Sequence, residues 1–207
     1  MAKNEKTILI VEDLDQIRDL LEVTLRFEGY EVLSAGDGLE AIDTLEKGHP
    51  DLIITDLLMP NLDGYGLIFR LRSNPDTHSI PIMVLSATYL SGEDKDFAYH
   101  LGAQRFLEKP VDAAVLLETV SEVLNGGGEM MESPVDDEAF YARYRGRLES
   151  KLQQKSKQIT RMERLMKTLP EAQKGVFQTL LAEAREHKDE VTAELQTIDR
   201  NLMALAE

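Results

Sequence analysis

The 207-residue chain has no cysteine, which removes disulfide frameworks, thiolate metal sites and cysteine nucleophiles together and fits a reducing cytoplasm. It also lacks long apolar runs. The longest unbroken run of isoleucine, leucine and valine is Ile8 to Val11, four residues against the roughly 20 needed to cross a bilayer. The first residues show no signal-peptide pattern, so the expectation is a cytoplasmic protein with no membrane partner. Positive charge is scarce as well: 23 Lys and Arg against 38 Asp and Glu give a net charge of -15. That is the wrong sign for gripping phosphate backbones, so nucleic acid is disfavoured as a partner, whereas cations are favoured. With 43% hydrophobic residues, the chain has enough apolar surface to bury a core in one or two domains.

One boundary stands out at Asn125-Gly126-Gly127-Gly128, a flexible glycine run followed by residues without periodicity. Residues 1–125 form one expected domain, 126–135 a linker and 136–207 a second domain. The 10 basic and 23 acidic residues before the run give -13, whereas the 13 basic and 15 acidic residues after it give -2. In the first part, Ile8 to Val11, Leu52 to Ile54 and Ile82 to Leu85 read as strands buried on both faces, with weaker strands at Glu31 to Ser34 and Arg105 to Leu107. Ile17, Leu20, Leu21 and Leu25 fall at helical spacing, and further helices are expected over Leu39 to Lys47, Gly64 to Arg72 and Asp112 to Leu124. Alternating strands and helices predict an α/β fold with a doubly wound, five-stranded parallel sheet whose functional groups gather at the carboxyl ends of the strands.

After the linker, Ser133-Pro134 with Asp136 to Glu138 reads as a capped helix start, and no strong breaker follows until Pro170. Tyr141, Arg145, Leu148, Leu152, Lys155, Ile159, Met162, Met166 and Leu169 alternate spacings of four and three. The rhythm resumes from Phe177 through Leu181, Ala184, Lys188, Val191, Leu195, Ile198, Leu202 and Leu205. Two long helices joined near Pro170 predict an all-α antiparallel hairpin, or coiled coil. Residues 139–168 hold nine basic and two acidic residues and residues 170–207 hold four and eight, so the second helix is expected to neutralise the basic face of the first.

Polar residues close four of the expected strands: Glu12 and Asp13 after the first, Asp56 after the third, Ser86 on the fourth and Lys109-Pro110 after the fifth. Taken singly, an acid at a strand end is most simply a helix cap or a solvated loop residue. In a doubly wound sheet, however, these ends all project into one crevice. Three converging carboxylates raise one another's pKa unless a cation neutralises them. With oxygen ligands only, a hard ion such as Mg²⁺ suits the site better than zinc. A carboxylate there can attack phosphorus to form an acyl phosphate, with Lys109 and Ser86 supplying charge and a hydrogen bond to the transferred oxygens.

Ile8-Leu9-Ile10-Val11-Glu12-Asp13, Asp56-Leu57-Leu58-Met59-Pro60, Asp63-Gly64, Ser86-Ala87 and Phe106-Leu107-Glu108-Lys109-Pro110 together resemble the signature of bacterial response-regulator receiver domains, which are flavodoxin-like, over about residues 6–124. The resemblance implies that Asp56 accepts phosphate from a sensor histidine kinase or phosphotransfer protein, and that Glu12, Asp13, Asp56 and the Leu58 carbonyl hold Mg²⁺. It implies that Lys109, Ser86 and the Ala87 amide hold the phosphoryl group, and that the Lys109-Pro110 bond is cis. It further implies an activation switch pairing Ser86 with Phe106, whose ring turns inward on phosphorylation. Serine stands where threonine is common and phenylalanine where tyrosine is common, so the switch lacks a phenol hydroxyl.

His187 reads as an exposed helix histidine and Met162 with Met166 as packing. Leu169 to Phe177 only faintly resembles the opening of a helix-turn-helix, with no glycine turn after it. Nothing after residue 129 supplies an enzyme's constellation. The expected function is a non-enzymatic phosphoacceptor that signals through protein contacts of the C-terminal hairpin, which pairs with a second copy into a dimer. The alternative is a DNA-binding transcriptional regulator with an atypical helical domain.

Overall fold

A computed structural model describes residues 6–87, 92–127, 137–168 and 170–205. Ten elements alternate in the first part: β1 (Thr7–Val11), α1 (Asp15–Phe27), β2 (Glu31–Ala35), α2 (Gly38–Leu45), β3 (Leu52–Thr55), α3 (Gly64–Ser73), β4 (Ile82–Ala87), α4 (Gly92–His100), β5 (Arg105–Lys109) and α5 (Ala113–Leu124). The strands form one parallel sheet in the order β2-β1-β3-β4-β5. Ile8 to Val11 and Leu52 to Ile54 are buried throughout, as strands covered on both faces must be.

Because successive strand side chains point to opposite faces, the two covers can be read from the core. Ile8, Ile10, Leu52, Ile54, Met83 and Leu85 pack with Leu21 and Leu25 of α1 and Leu116, Val120 and Val123 of α5. The opposite set, Leu9, Val11, Ile53 and Val84, is equally buried, and so are Ala41 of α2, Leu67 and Leu71 of α3, and Phe97 of α4. Helix starts are set locally. Asp37, Asp63 and Asp112 cap α2, α3 and α5 by accepting amide hydrogens from Leu39 and Glu40, Gly66, and Ala114 respectively, which satisfies donors the helix itself leaves open. The cis bond at Lys109-Pro110 is present. No helix is expected from the sequence between the fourth and fifth strands, and α4 fills that gap: Phe97, Ala98 and Leu101 are its buried anchors, too few to write a stripe.

The chain divides into two compact units, Met1–Val135 and Asp136–Glu207. The second comprises α6 (Asp137–Met166) and α7 (Glu171–Leu205). They run antiparallel: Arg145 meets Asp199 at 2.8 Å, Tyr144 donates to Glu194 at 2.6 Å, and Arg185 meets Glu163 at 2.7 Å. Leu148, Ile159, Leu181, Ala184, Val191, Leu195 and Ile198 form the buried seam, with Met162 and Met166 packed beside Ile159.

Three details depart from the expected hairpin. At the start of α6 the buried residues are Phe140 and Tyr144, stacked at 5.1 Å, not Tyr141 and Arg145. The two aromatic rings gain most from burial, while the guanidinium of Arg145 stays at the surface to reach Asp199. Helix α7 begins at Glu171, directly after the expected join near Pro170, because proline is well placed at a helix start. Leu205 is exposed rather than in the seam. The basic face of α6 is only partly neutralised by α7: Arg145 meets Asp199, but Lys151, Lys155, Lys157, Arg161, Arg164 and Lys167 form no ion pair among the described residues. Leu169, the Ser133-Pro134 cap, the linker from 128 onward and the His187 side chain lie outside the described residues.

Candidate functional site

Parallel register brings the strand ends level. Val11 stands beside Thr55, Ser86 beside Glu108, and Ala87 beside Lys109, so the residues that follow β1 and β3 meet those that close β4 and β5. Glu12, Asp13 and Asp56 each offer a carboxylate oxygen, and the three oxygens lie within 4.8 Å of one another. Glu12 and Asp56 are buried, and Asp13 is half-buried at the rim.

Asp56 is fixed by donors on two sides. Its Oδ1 accepts from the Ser86 hydroxyl at 2.5 Å, the Leu57 amide at 2.5 Å and the Leu58 amide at 3.2 Å. Its Oδ2 accepts from Lys109 Nζ at 2.6 Å, and the same ammonium reaches Glu12 Oε2 at 2.5 Å. Lys109 therefore bridges two carboxylates that would otherwise repel each other. Burial pushes the Glu12 pKa up, and the hydrogen bond and charge of Lys109 only partly offset this, so the net shift is upward. For Lys109 burial acts to lower the pKa, but the bonds to Asp56 and Glu12 outweigh it and hold it above the ordinary lysine value. The ammonium therefore stays charged.

Two contacts explain why the loops take this shape. Arg18 of α1 donates to the Glu12 carbonyl at 2.6 Å, pinning the backbone that presents Glu12 and Asp13. A Cβ on Gly64 would lie 2.2 Å from the Asp56 carbonyl oxygen and 2.8 Å from the Leu57 Cα; α3 starts directly against the Asp56-Leu57 backbone, and only glycine fits there. Gly64 belongs to the Asp63-Gly64 motif, but the reason for glycine there, and the part played by Arg18, lie outside the motif. The signal for Arg18 is its place one turn into the helix that follows Glu12-Asp13.

All the sequence-predicted site residues except one sit at this crevice. Phe106 stands apart, half-buried on β5, with Lys95 Nζ 5.3 Å from its ring centroid and Lys95 also paired with Glu108. The donor set at the crevice is all oxygen, two of its three carboxylates are buried, and it opens at Asp13. This fits Mg²⁺, which needs oxygen ligands and keeps waters of its own.

Residues 8–121 match the response regulator receiver domain. This chain belongs to that family. A protein named "Probable transcriptional regulator ycf27" from Porphyridium aerugineum is 39% identical over 121 residues, which is 58% of this chain and 48% of that protein. The transcriptional regulatory protein CseB of Streptomyces coelicolor is 33% identical over 130 residues, 60% of this chain and 54% of CseB. The chain thus matches about half the length of these curated relatives. Among solved structures, the chemotaxis response regulator CheY4 of Vibrio cholerae is 34% identical with a TM-score of 0.55, covering 58% of this chain and 99% of CheY4. The receiver domain of the sensor histidine kinase PA1611 from Pseudomonas aeruginosa, solved with a magnesium ion coordinated in its active site cleft, is 30% identical with a TM-score of 0.55, covering 59% and 99%. Receiver domains are signalling modules, and among the described residues no helix is long and apolar enough to cross a membrane.

Proposed function

We propose that residues 1–125 are a phosphoacceptor in which Asp56 takes a phosphoryl group from the phosphohistidine of a sensor histidine kinase or phosphotransfer protein, and that residues 136–207, beyond a 126–135 linker, carry the output by protein contact as a cytoplasmic homodimer. The observation that carries the first part is the Asp56 carboxylate held between Ser86 and Lys109 beside two further acids. Oδ1 is anchored by three donors, which leaves Oδ2 to attack phosphorus in line with the histidine nitrogen. The new O–P bond forms as the N–P bond breaks, and the imidazole nitrogen leaves with its electron pair and takes a proton. Lys109, already 2.6 Å from Oδ2, follows the charge onto the phosphoryl oxygens. Ser86 and the Ala87 amide donate to the same oxygens. Glu12, Asp13, Asp56 and the Leu58 carbonyl would hold Mg²⁺, which when bound neutralises the phosphoryl oxygens and the carboxylates together. Ser86, once it bonds the phosphoryl group, lets Phe106 turn inward past it as the switch. No separate enzymatic output belongs to this reading.

Acetyl phosphate with Mg²⁺ is expected to label the protein once, on Asp56, and Asp56→Asn to abolish the label. Labelling that survives this change or excess chelator would place the chemistry elsewhere. A second reading, DNA binding by the helical unit, draws on the relatives named transcriptional regulators and on Lys151, Lys155, Lys157, Arg161, Arg164 and Lys167 of α6, which form no ion pair among the described residues. It requires specific affinity in a shift assay that falls steeply with salt.

A further inference from the structure

The contacts between α6 and α7 divide the hairpin surface into two sides. Arg145–Asp199 and Arg185–Glu163 close one side of the seam, and Tyr144–Glu194 marks the other. Helical periodicity of 100° per residue then sorts the exposed residues. Val176 is 18 residues from Glu194, five whole turns, and Leu180 follows one turn on. Leu205 is 11 residues beyond Glu194, three turns. Leu165 is five turns from Arg147, which lies one turn past Tyr144. The Tyr144 side therefore gathers Leu165, Val176, Leu180 and Leu205, exposed by 44, 70, 44 and 48%. The opposite side has Met203 alone among the large exposed apolar residues of the described hairpin.

The rest of the Tyr144 side is charged in a fixed pattern. On α6 the stripe between Tyr144 and Leu165 carries Arg147, Lys151, Gln154, Gln158 and Arg161, with no acid. On α7 the matching stripe carries Glu183, His187, Glu190 and Glu194, with no lysine or arginine. One long edge of this face is positive, the other is negative, and both end at the apolar cluster beside the closed end of the hairpin.

We infer that this face is the dimer interface, and that two hairpins pair on it with their closed ends together. The inference rests on the homodimer reading above and specifies its surface and arrangement. A two-fold axis parallel to the helices lays α6 of each copy over α7 of the other. Arg161 then lies level with Glu183 of the second copy, and Lys151 with its Glu190 and Glu194, since residue pairs across the hairpin such as Tyr144 with Glu194 and Arg185 with Glu163 set the same levels. Leu165, Val176 and Leu180 of both copies meet and extend the core of Ile159, Leu181 and Ala184. A two-fold axis across the helices would instead stack α6 on α6 and α7 on α7, setting like charges opposite one another and separating the apolar clusters. A 30-residue helix is about 45 Å long and two helices about 20 Å wide, so the face offers roughly 900 Å² per copy, the size of an ordinary specific interface.

The test uses the full chain in sedimentation equilibrium at micromolar concentration. Arg161→Glu and Glu183→Arg, both at exposed positions, should each raise the dimer dissociation constant by about tenfold, because each variant turns two attractive pairs repulsive. An equimolar mixture of the two variants should recover the wild-type constant, since every pair in the heterodimer is again of opposite sign. A mixture as weak as its components, or a wild-type chain that stays monomeric, would overturn the inference. Asp56 labelling on the same samples reports on the receiver independently, so failure of the interface and failure of the phosphoacceptor reading are told apart.

Discussion

Replacing Lys109 by glutamine tests the electrostatics of the crevice directly. Lys109 Nζ lies 2.5 Å from Glu12 Oε2 and 2.6 Å from Asp56 Oδ2, and the side-chain exposures are 14, 1 and 10%. Removing one partner of a buried pair costs about 3 to 5 kcal/mol. The crevice edge is partly wet, and Glu12, already raised in pKa by burial, can take up a proton to relieve the repulsion. The expected loss is therefore about 2 kcal/mol near neutral pH, or roughly 8 °C in the unfolding temperature of a unit of this size. Mg²⁺ restores positive charge at the same place, so it should raise the unfolding temperature more in Lys109→Gln than in the parent. Acidification should shrink the deficit as Glu12 protonates. The assay is thermal unfolding followed by circular dichroism, in chelator and in Mg²⁺, across the acid range. Equal stability of parent and variant in chelator, or an equal response to Mg²⁺, would refute the reasoning.

Three further outcomes follow from the same geometry. Gly64→Ala places a methyl group against the Asp56 and Leu57 backbone; a loss of about 1 to 3 kcal/mol together with slower acetyl phosphate labelling is expected, and normal labelling would show that the backbone yields without moving the carboxylate. The raised pKa of Glu12 means that the folded protein binds more protons than the unfolded chain from its ordinary value of 4.5 upward. Metal-free stability should thus fall as pH rises through that window, while Mg²⁺ affinity measured by calorimetry tightens over the same range. Arg72 donates to the carbonyls of His78, Ile80 and Gly102, each at 2.8 Å, and burial lowers its pKa to about 10; Arg72→Met should cost about 2 to 4 kcal/mol in denaturant unfolding by leaving three carbonyls without their donor.

Features that depend on near neighbours along the chain were legible in the amino-acid order alone. Ile8 to Val11 and Leu52 to Ile54 are apolar on every residue because both sheet faces are covered. The helices expected over Gly64 to Arg72 and Asp112 to Leu124 begin at Gly64 and Ala113, because Asp63 and Asp112 cap them through amides two or three residues away. The motif residues Glu12, Asp13, Asp56, Ser86 and Lys109 were legible because a parallel sheet carries its strand ends to one edge, whatever the loops between them. Tertiary structure decided what depends on residues far apart in sequence. Which acids cap and which converge is set by register, with Asp37 bound to its own helix and Asp56 to Lys109, 53 residues away. The need for glycine at 64 exists only because α3 starts against the β3 end. In the hairpin, a repeat of fours and threes marks a stripe but not its edge, so the choice of Phe140 and Tyr144 over Tyr141 and Arg145 came from packing against α7. Charge counts likewise predicted neutralisation within the hairpin, and Arg145 does meet Asp199, yet Arg161 and Lys151 have no ion pair among the described residues, because an ion pair depends on the angular position of each side chain around its helix and not on the composition of the helix opposite.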